Sequence, residues 1–378
     1  MPWEVSNMSE VRFALCHAVR QLNRPAAQAA REFGVSRKTA HKWLDRFDLD
    51  QTVAAMADRS RRPILSPRQV SGDVDAAVLA IRDAHGWGPR KIHAILRREK
   101  FQPLPCLRTV ANVLRRCGRV AGEIKSDVLV QRFERSGPNE LWQIDHKGPI
   151  EVARQKLMPL SVLDDHSRYA LAFEPTTDRT MATTFAILWD IFGDVGLPEA
   201  ILCDNAFGTL GSPVGLSWFD AQLVRLGIRP LHGRPYHPQT QGKVEAWHAS
   251  VMRELVNRHA RRDSLSHFQA DSQDWRRVYN TIRPHEALGD EVPLSRWRPS
   301  QRRRPATMPS VEYEPGATLR KVAAPGLIHW KMARIRLGHG LIGQWVRVVQ
   351  EEIEVKIYYA TKQVRCLRPE QLTKDHVV

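Results

Sequence analysis

Between residues 140 and 256 the hydrophobic pattern changes period repeatedly, and few architectures accommodate the order that results. Residues 140–152, 158–164 and 168–174 alternate as strands do, and Asp164-Asp165-His166-Ser167 reads as a hairpin turn between the second and third. A helix is expected over about 178–193, a strand at 199–203, a helix near 217–226, a strand at 228–231 and a long helix from about Thr240. Three strands followed by alternating helices and strands is an α/β layout with a mixed sheet. Open sheets of this kind gather their ligands beyond the carboxyl ends of the strands.

The flanks read differently. Residues 9–47 are expected to form three short helices: Pro25 can open the second, Gly34 can supply the following turn, and Ser36 can cap the third. Ala29, Phe33, Val35, Ala40, Trp43, Leu44 and Phe47 would fill the space between them, leaving Arg37, Lys38, Thr39, His41, Lys42 and Arg46 on the outer face, where a recognition helix meets base edges. This stretch resembles the helix-turn-helix of transposases and phage-type repressors. A second helical module is expected over about 70–118. Val74, Ala77, Val78 and Ile81 mark one buried stripe, and Val110, Val113, Leu114 and Cys117 mark another. Gly86-Trp87-Gly88-Pro89 breaks the chain between helices, and Arg90, Lys91, Arg97, Arg98, Lys100, Arg108, Arg115 and Arg116 would face outward.

The charge follows this division. Of 57 Lys and Arg against 41 Asp and Glu, net +16, residues 61–135 carry 16 basic and 7 acidic residues and residues 301–378 carry 14 and 7, whereas residues 136–300 carry 18 and 20. Basic flanks around a carboxylate-bearing centre suit a polyanionic partner held at both sides of a chemical site. An apolar content of 42% with 26% charge excludes a mostly disordered or fibrous chain. No run of 18 apolar residues and no secretory leader pattern is found, so the expectation is a soluble, cytoplasmic protein with no membrane partner. Five cysteines without a C-x-x-C spacing argue against a disulfide framework and are expected to be buried free thiols.

Three acidic residues sit at telling places. Asp145 lies inside the apolar strand Leu141-Trp-Gln-Ile-Asp145, Asp204 directly follows the strand Ala-Ile-Leu-Cys203, and Glu245 lies near the start of the long helix. A carboxylate inside an apolar strand is costly unless paired or bound to a cation. Three convergent carboxylates suit two-metal phosphoryl transfer, since hard divalent ions prefer oxygen ligands. Asp164 fits the turn better than this site. His237 and His248 could be metal ligands or acid–base groups, His248 could equally orient a neighbour or contact nucleic acid, and Lys243 is placed as a phosphate contact.

The segments Leu-Trp-Gln-Ile-Asp145, Leu-Cys-Asp204-Asn, Tyr236-His-Pro-Gln-Thr-Gln-Gly-Lys-Val-Glu245 and Tyr279-Asn-x-x-Arg-Pro-His285-x-Ala-Leu-Gly289 together resemble the catalytic core of DDE transposases from bacterial insertion sequences, shared with retroviral integrases. The resemblance covers about residues 138–300. It implies a ribonuclease H-like fold and a metal-binding catalytic triad of Asp145, Asp204 and Glu245 with two Mg²⁺ ions, for which Mn²⁺ would substitute. It further implies double-stranded DNA as partner, both the terminal inverted repeats of an element and the target, and a homo-oligomer in the synaptic complex. The activity implied is cleavage at the element ends and joining of the 3′-hydroxyl to target DNA. Two departures stand out. Forty residues separate Asp204 from Glu245, more than is typical, with the surplus assigned to a surface loop at 208–215. Many relatives also carry Lys or Arg seven residues after the glutamate, where this chain has Met252 followed by Arg253.

Residues 298–306 form a basic, proline-bearing stretch expected to run extended along phosphate. Beyond it, residues 328–337, 344–350, 354–359 and 363–367 alternate between glycine-bearing turns, which predicts a small antiparallel β-barrel. The expected organisation is a helix-turn-helix module at 1–60, a second helical module at 61–120, a linker at 121–137, the α/β core at 138–297, a basic linker at 298–326 and the barrel at 327–372. Three rival readings remain at this level: a DNA-binding regulator descended from such an enzyme, which loss of a carboxylate would favour, a nuclease that cuts without joining, and a nucleic-acid chaperone that uses the basic flanks alone.

Overall fold

A computed structural model of the chain describes residues 7–59, 70–119, 134–204, 215–233, 242–258, 260–368, 370 and 372. The chain divides into two compact units, Met1–Val70 and Ser71–Val378.

In the first unit α1 (Met8–Arg20), α2 (Ala26–Glu32) and α3 (Arg37–Leu49) pack around Leu15, Cys16, Ala30, Ala40, Trp43, Leu44 and Phe47. The local signals act as expected: Pro25 is the N-cap of α2, Gly34 adopts a φ of 64°, and the Ser36 side chain accepts from the Thr39 N–H at 3.1 Å. Trp43 closes the core beneath three cations, with Arg12 at 4.1 Å, Arg46 at 4.6 Å and Lys42 at 5.1 Å from the ring centroid.

The second unit begins with α4 (Gly72–His85), α5 (Pro89–Arg98) and α6 (Leu107–Arg116), which bury Val74 and Val78, Ile92, Ile95 and Leu96, and Val110, Val113 and Leu114. Cys117 terminates α6 and is exposed, as are Cys106 and Cys366, so only Cys16 and Cys203 are the buried thiols expected of all five. The Gly86–Pro89 turn does more than break the chain. Trp87 is buried, its indole stacked on His85, and its Nε1 donates at 3.2 Å to Glu254, a residue of the α/β core.

That core is a five-stranded sheet in the order β5-β4-β1-β6-β7, made of β1 (Trp142–His146), β4 (Leu160–Asp164), β5 (Ala170–Glu174), β6 (Ala200–Cys203) and β7 (Arg229–His232). β4 runs antiparallel to its neighbours β1 and β5, while β6 and β7 continue the sheet parallel to β1. The stretch 140–152, expected to be one strand, is two: β1 ends at His146, and β2 (Ile150–Val152) pairs with β3 (Gln155–Leu157) in a separate hairpin. α7 (Met181–Val195) and α8 (Trp218–Arg225) cover one face through Phe185, Leu188, Phe192, Phe219 and Leu223. α9 (Gly242–Ser250) and α10 (Leu265–Thr281) cover the other through Val244, Trp247, Phe268, Trp275 and Tyr279. α9 continues as a π-helical turn over Val251–Val256.

The Tyr279–Gly289 motif proves to be scaffold. Asn280 exchanges two hydrogen bonds with the backbone of Ala170 at 2.9 and 3.0 Å, and Arg283 donates to the Glu254 carboxylate at 3.0 Å from Nε and 3.0 Å from Nη2. The basic stretch after residue 298 is extended but docked. Arg302 donates to the carbonyls of Pro198, Leu226 and Gly227, and Arg304 donates to Trp189 O while lying over its ring. These guanidiniums cap helix and loop carbonyls of the core, which is not the phosphate-lining role expected of them.

The carboxyl-terminal part corrects the expectation of a barrel. β8 (Leu319–Lys321), β11 (Trp345–Gln350), β12 (Val355–Tyr359) and β13 (Lys362–Leu367) form an open antiparallel sheet in the order β13-β12-β11-β8. β9 (Leu327–Trp330) and β10 (Ala333–Arg336) form a separate hairpin, and among the described residues no ladder closes the two into a barrel. Both share one core with Leu216, Ala221 and Val224, so α8 covers what a barrel would have closed over. The approach is tight: a Cβ on Gly340 would stand 2.2 Å from the Ser217 carbonyl carbon and 2.5 Å from Leu216 O. Gly340→Ala is therefore expected to lower thermal stability by about 1–3 kcal/mol, read from the unfolding midpoint. Gly72→Ala, with open space around it, serves as the comparison that should not lower it.

Candidate active site

The sheet order brings two of the three sequence-selected carboxylates to one edge. β1 and β6 are parallel neighbours with Trp142 opposite Ile201 and Gln143 opposite Leu202. Carrying that register forward sets position 145 level with position 204, at the carboxyl ends of adjacent strands. Asp145 is half-buried near the end of β1, and Asp204 is the first residue beyond β6. α9 packs against β1 and presents Glu245 in its first turn with an exposed side chain.

The three carboxylates act on one another electrostatically. Burial, and then the nearby Asp204, push the Asp145 carboxyl from 3.8 up to about 6, with Glu245 adding to the rise and Lys147 opposing it. A cation would relieve that repulsion, and the donors are all hard oxygens, so these residues fit Mg²⁺ or Mn²⁺ in kind. Among the described residues no group of three or more His, Cys, Asp or Glu side chains is close enough to hold one ion as they stand. Asn205, His237 and the 208–214 part of the loop given the surplus length lie outside the described residues.

Side chains that sequence reasoning left out, Ser161, Gln143, Asp165 and Trp247, surround the first carboxylate together with His248 and Lys243. Ser161 pairs with Asp145 across β1 and β4, and its Oγ receives the Trp247 indole N–H at 3.1 Å and lies 2.9 Å from His248 Nε2. The other His248 nitrogen, Nδ1, faces Asp145 Oδ2 at 3.7 Å, and burial lowers this imidazole to about 4, so it is neutral at pH 7. His248 thus lies beside Asp145 as a neutral imidazole. Lys243 is engaged inside the fold: its Nζ lies 2.6 Å from Asp165 Oδ1, and Gln143 Nε2, two residues before Asp145 on the same face of β1, donates to the same carboxylate at 2.7 Å. The pair fastens the start of α9 beside Glu245. Asp164 is fully buried and accepts from the N–H groups of Asn139 and Ser167 at 2.7 and 2.8 Å, which makes it the turn residue expected.

Asp204 is steadied from behind. Its carbonyl lies 3.4 Å from His232 Nδ1, and His232 Nε2 lies 2.9 Å from Asp220, which also forms the capping box of α8 with Ser217. Cys203 Sγ is 3.4 Å from the same imidazole. Cysteine, histidine and aspartate in line resemble a nucleophile relay, but burial raises the Cys203 thiol well above 9 and leaves no thiolate.

Of the residues placed as DNA contacts, Arg37, Lys38, His41 and Lys42 are exposed on α3, and the Thr39 hydroxyl is 2.9 Å from Ser36 Oγ. Arg90 faces outward as expected and meets Glu286 at 2.6 Å and Asp290 at 3.2 Å, whereas Lys91 is half-buried and lies 3.7 Å from Glu254. Position 252 is half-buried against the core, and the extra residue of the π-turn leaves Arg253 on the solvent side instead.

Family models of known domains match this arrangement. One described as an integrase core domain covers residues 135–238, and a second with the same description covers 226–293. Together the two matches span residues 135–293, under half of the chain. A homeodomain-like model matches residues 39–114, which span α3 through α6. The chain is 26% identical over 181 residues to an insertion element IS476 protein of 39.2 kDa from Xanthomonas euvesicatoria, covering 48% of this chain and 50% of that protein. It is 34% identical over 118 residues to the Gag-Pro-Pol polyprotein of simian retrovirus SRV-2, covering 31% of this chain and 6% of the polyprotein. The chain thus spans about half the length of the insertion-element relative and a small part of the retroviral one. Among solved structures, the HTLV-2 integrase catalytic core domain in complex with magnesium aligns at 15% identity over 43% of this chain and 97% of that one, with a TM-score of 0.34.

Proposed function

We propose that this protein is a DDE transposase of a bacterial insertion sequence, working in the cytoplasm, that binds the terminal repeats of its element, cuts the DNA ends and joins the 3′-hydroxyl to target DNA. The observation that carries the reading is the convergence of Asp145 and Asp204 at the carboxyl ends of neighbouring parallel strands with Glu245 on the helix packed over them, inside an integrase core domain. Asp145, Asp204 and Glu245 would hold divalent cations, which when bound polarise the scissile phosphodiester and stabilise the attacking and leaving oxygens. The chain's own part is placement: Ser161 and Trp247 fix the His248 ring beside the Asp145 carboxylate, His232 holds the Asp204 backbone, and Lys243 with Asp165 holds the first turn of α9. α3, with Arg37, Lys38, Thr39, His41 and Lys42, would read the element end, and a homo-oligomer would pair two ends. The proposed division places DNA-binding modules at 1–60 and 61–120, the ribonuclease H-like core at 138–297 and the β-rich segment at 327–372. No described helix is long and apolar enough to cross a membrane.

The test is strand transfer, with purified protein, Mg²⁺ or Mn²⁺, a labelled duplex carrying the element end and a plasmid target. Joined product with the wild type that vanishes with Glu245→Gln is the expected result. Sequence-specific binding without cleavage or joining in either metal would overturn it in favour of a regulator.

A further inference from the structure

We infer that the seam between the α4–α6 module and the core is a cleft for the phosphate backbone of duplex DNA, lined by Arg82, Arg119, Arg253 and Arg258. This deepens the proposed function and rests on it. A cavity of about 540 Å³ opens between the Gly86–Pro89 turn and the end of the π-helical segment that follows α9, and its wall carries six Lys and Arg side chains against three carboxylates. Those carboxylates are already answered within the fold, Glu286 and Asp290 by Arg90 and Glu254 by Arg283. The excess positive charge is crowded into one corner. Arg258 Nη2 donates to the carbonyls of Arg82 and Asp83 at 3.0 and 2.6 Å, and Arg82 Nη2 donates to the Arg119 carbonyl at 2.8 Å. Three arginines thus meet with Asp83 beside them, paired to Arg119 at 3.1 Å. Burial first, and then Arg258 and Arg119, hold the Arg82 guanidinium below its ordinary range, the sign of a site that an anion would relieve.

Geometry connects the cleft to the chemistry. Arg253 lies eight residues after Glu245 on one continuous helix, which at 1.5 Å per residue is about 12 Å away. A duplex strand whose phosphates lie in the cleft would therefore run toward the carboxylates, fixing the distance between the gripped backbone and the bond to be cut. Guanidiniums suit this because their planar forks match phosphate oxygens. The cleft also gives the α4–α6 module a backbone-gripping role.

The experiment is the salt dependence of binding of the full chain to a short duplex, followed by fluorescence anisotropy. Each lost phosphate contact lowers the slope of log K against log[salt] by about 0.9, or about 3.5-fold in affinity over a fourfold change in salt. Arg253→Ala and Arg119→Ala are each expected to lower the slope by about that amount with an unchanged melting temperature, and Arg253→Lys is expected to restore it. Arg277→Ala removes an equal charge from α10 outside the cleft and should leave the slope alone. Equal slopes in wild type, Arg253→Ala and Arg119→Ala would overturn the cleft while leaving DNA binding intact, as would an equal loss in Arg277→Ala. No DNA binding by the wild type would overturn the proposed function and the cleft with it.

Discussion

Asp145→Asn is expected to abolish strand joining and, in the same protein, to raise the melting temperature in the absence of divalent metal. The loss of activity should exceed the roughly 10–100-fold that outer-shell changes cost, because the residue removed is itself a proposed ligand. The gain in stability follows from its carboxyl being lifted from 3.8 to about 6 by burial and by Asp204. A folded chain that holds this proton more tightly than the unfolded chain loses stability as pH rises through that interval, and the deficit is complete above it. Two units at 1.36 kcal/mol each amount to about 3 kcal/mol at neutral pH, of which an amide recovers the charged part. At about 2–4 °C per kcal/mol the midpoint should rise by several degrees at about pH 7.5 in chelator, and the advantage should vanish near pH 4. Added Mg²⁺ should stabilise the wild type and leave Asp145→Asn unmoved. Equal melting curves at pH 7.5 would sink the idea that the carboxylates are held together at a cost.

What made the core legible was that its elements announce themselves locally. An aspartate inside Leu-Trp-Gln-Ile and another directly after Ala-Ile-Leu-Cys are improbable placements for solvated charge, and Ser36 and Gly34 act on neighbours within a few residues. The carboxyl-terminal hairpin was equally local but was misread. Ile328 and Trp330 are buried, as are Ala333, Ile335 and Leu337, so the inward positions shift from even to odd numbers across Lys331 and Met332. A single strand cannot change parity, whereas a two-residue turn with Lys331 at a φ of 53° does so. The long-range polar pairs were not legible at all. Lys243, Arg90, Arg302 and Glu254 each look like surface charge in sequence, and their partners lie 29 to 200 residues away or are backbone carbonyls, which carry no sequence signature.

Among these pairs, Glu254 carries the second large effect. Its carboxylate is nearly excluded from solvent and receives Arg283 at 3.0 Å and the Trp87 indole at 3.2 Å, with Lys91 at 3.7 Å. Burial alone would raise its pKa, yet Arg283 with Lys91 and Trp87 outweighs burial and holds it below the ordinary range. Its contribution is therefore present at neutral pH and is lost as pH falls through the folded pKa. Glu254→Ala should cost about 3–5 kcal/mol, because it strands a buried guanidinium whose remaining neighbours carry no charge: the Ser250 hydroxyl, the Tyr279 ring, and His285, kept neutral by burial at about 2. Glu254→Leu combined with Arg283→Met should recover most of that loss, since no charge is then left buried. The two variants should part company in amide exchange. In both, the Gly86–Pro89 turn loses the carboxylate that receives Trp87, so this turn should exchange faster even where the melting temperature has recovered. A Glu254→Ala variant costing under about 1 kcal/mol would mean that water already reaches the pair, and the turn would then owe its position to apolar contacts alone.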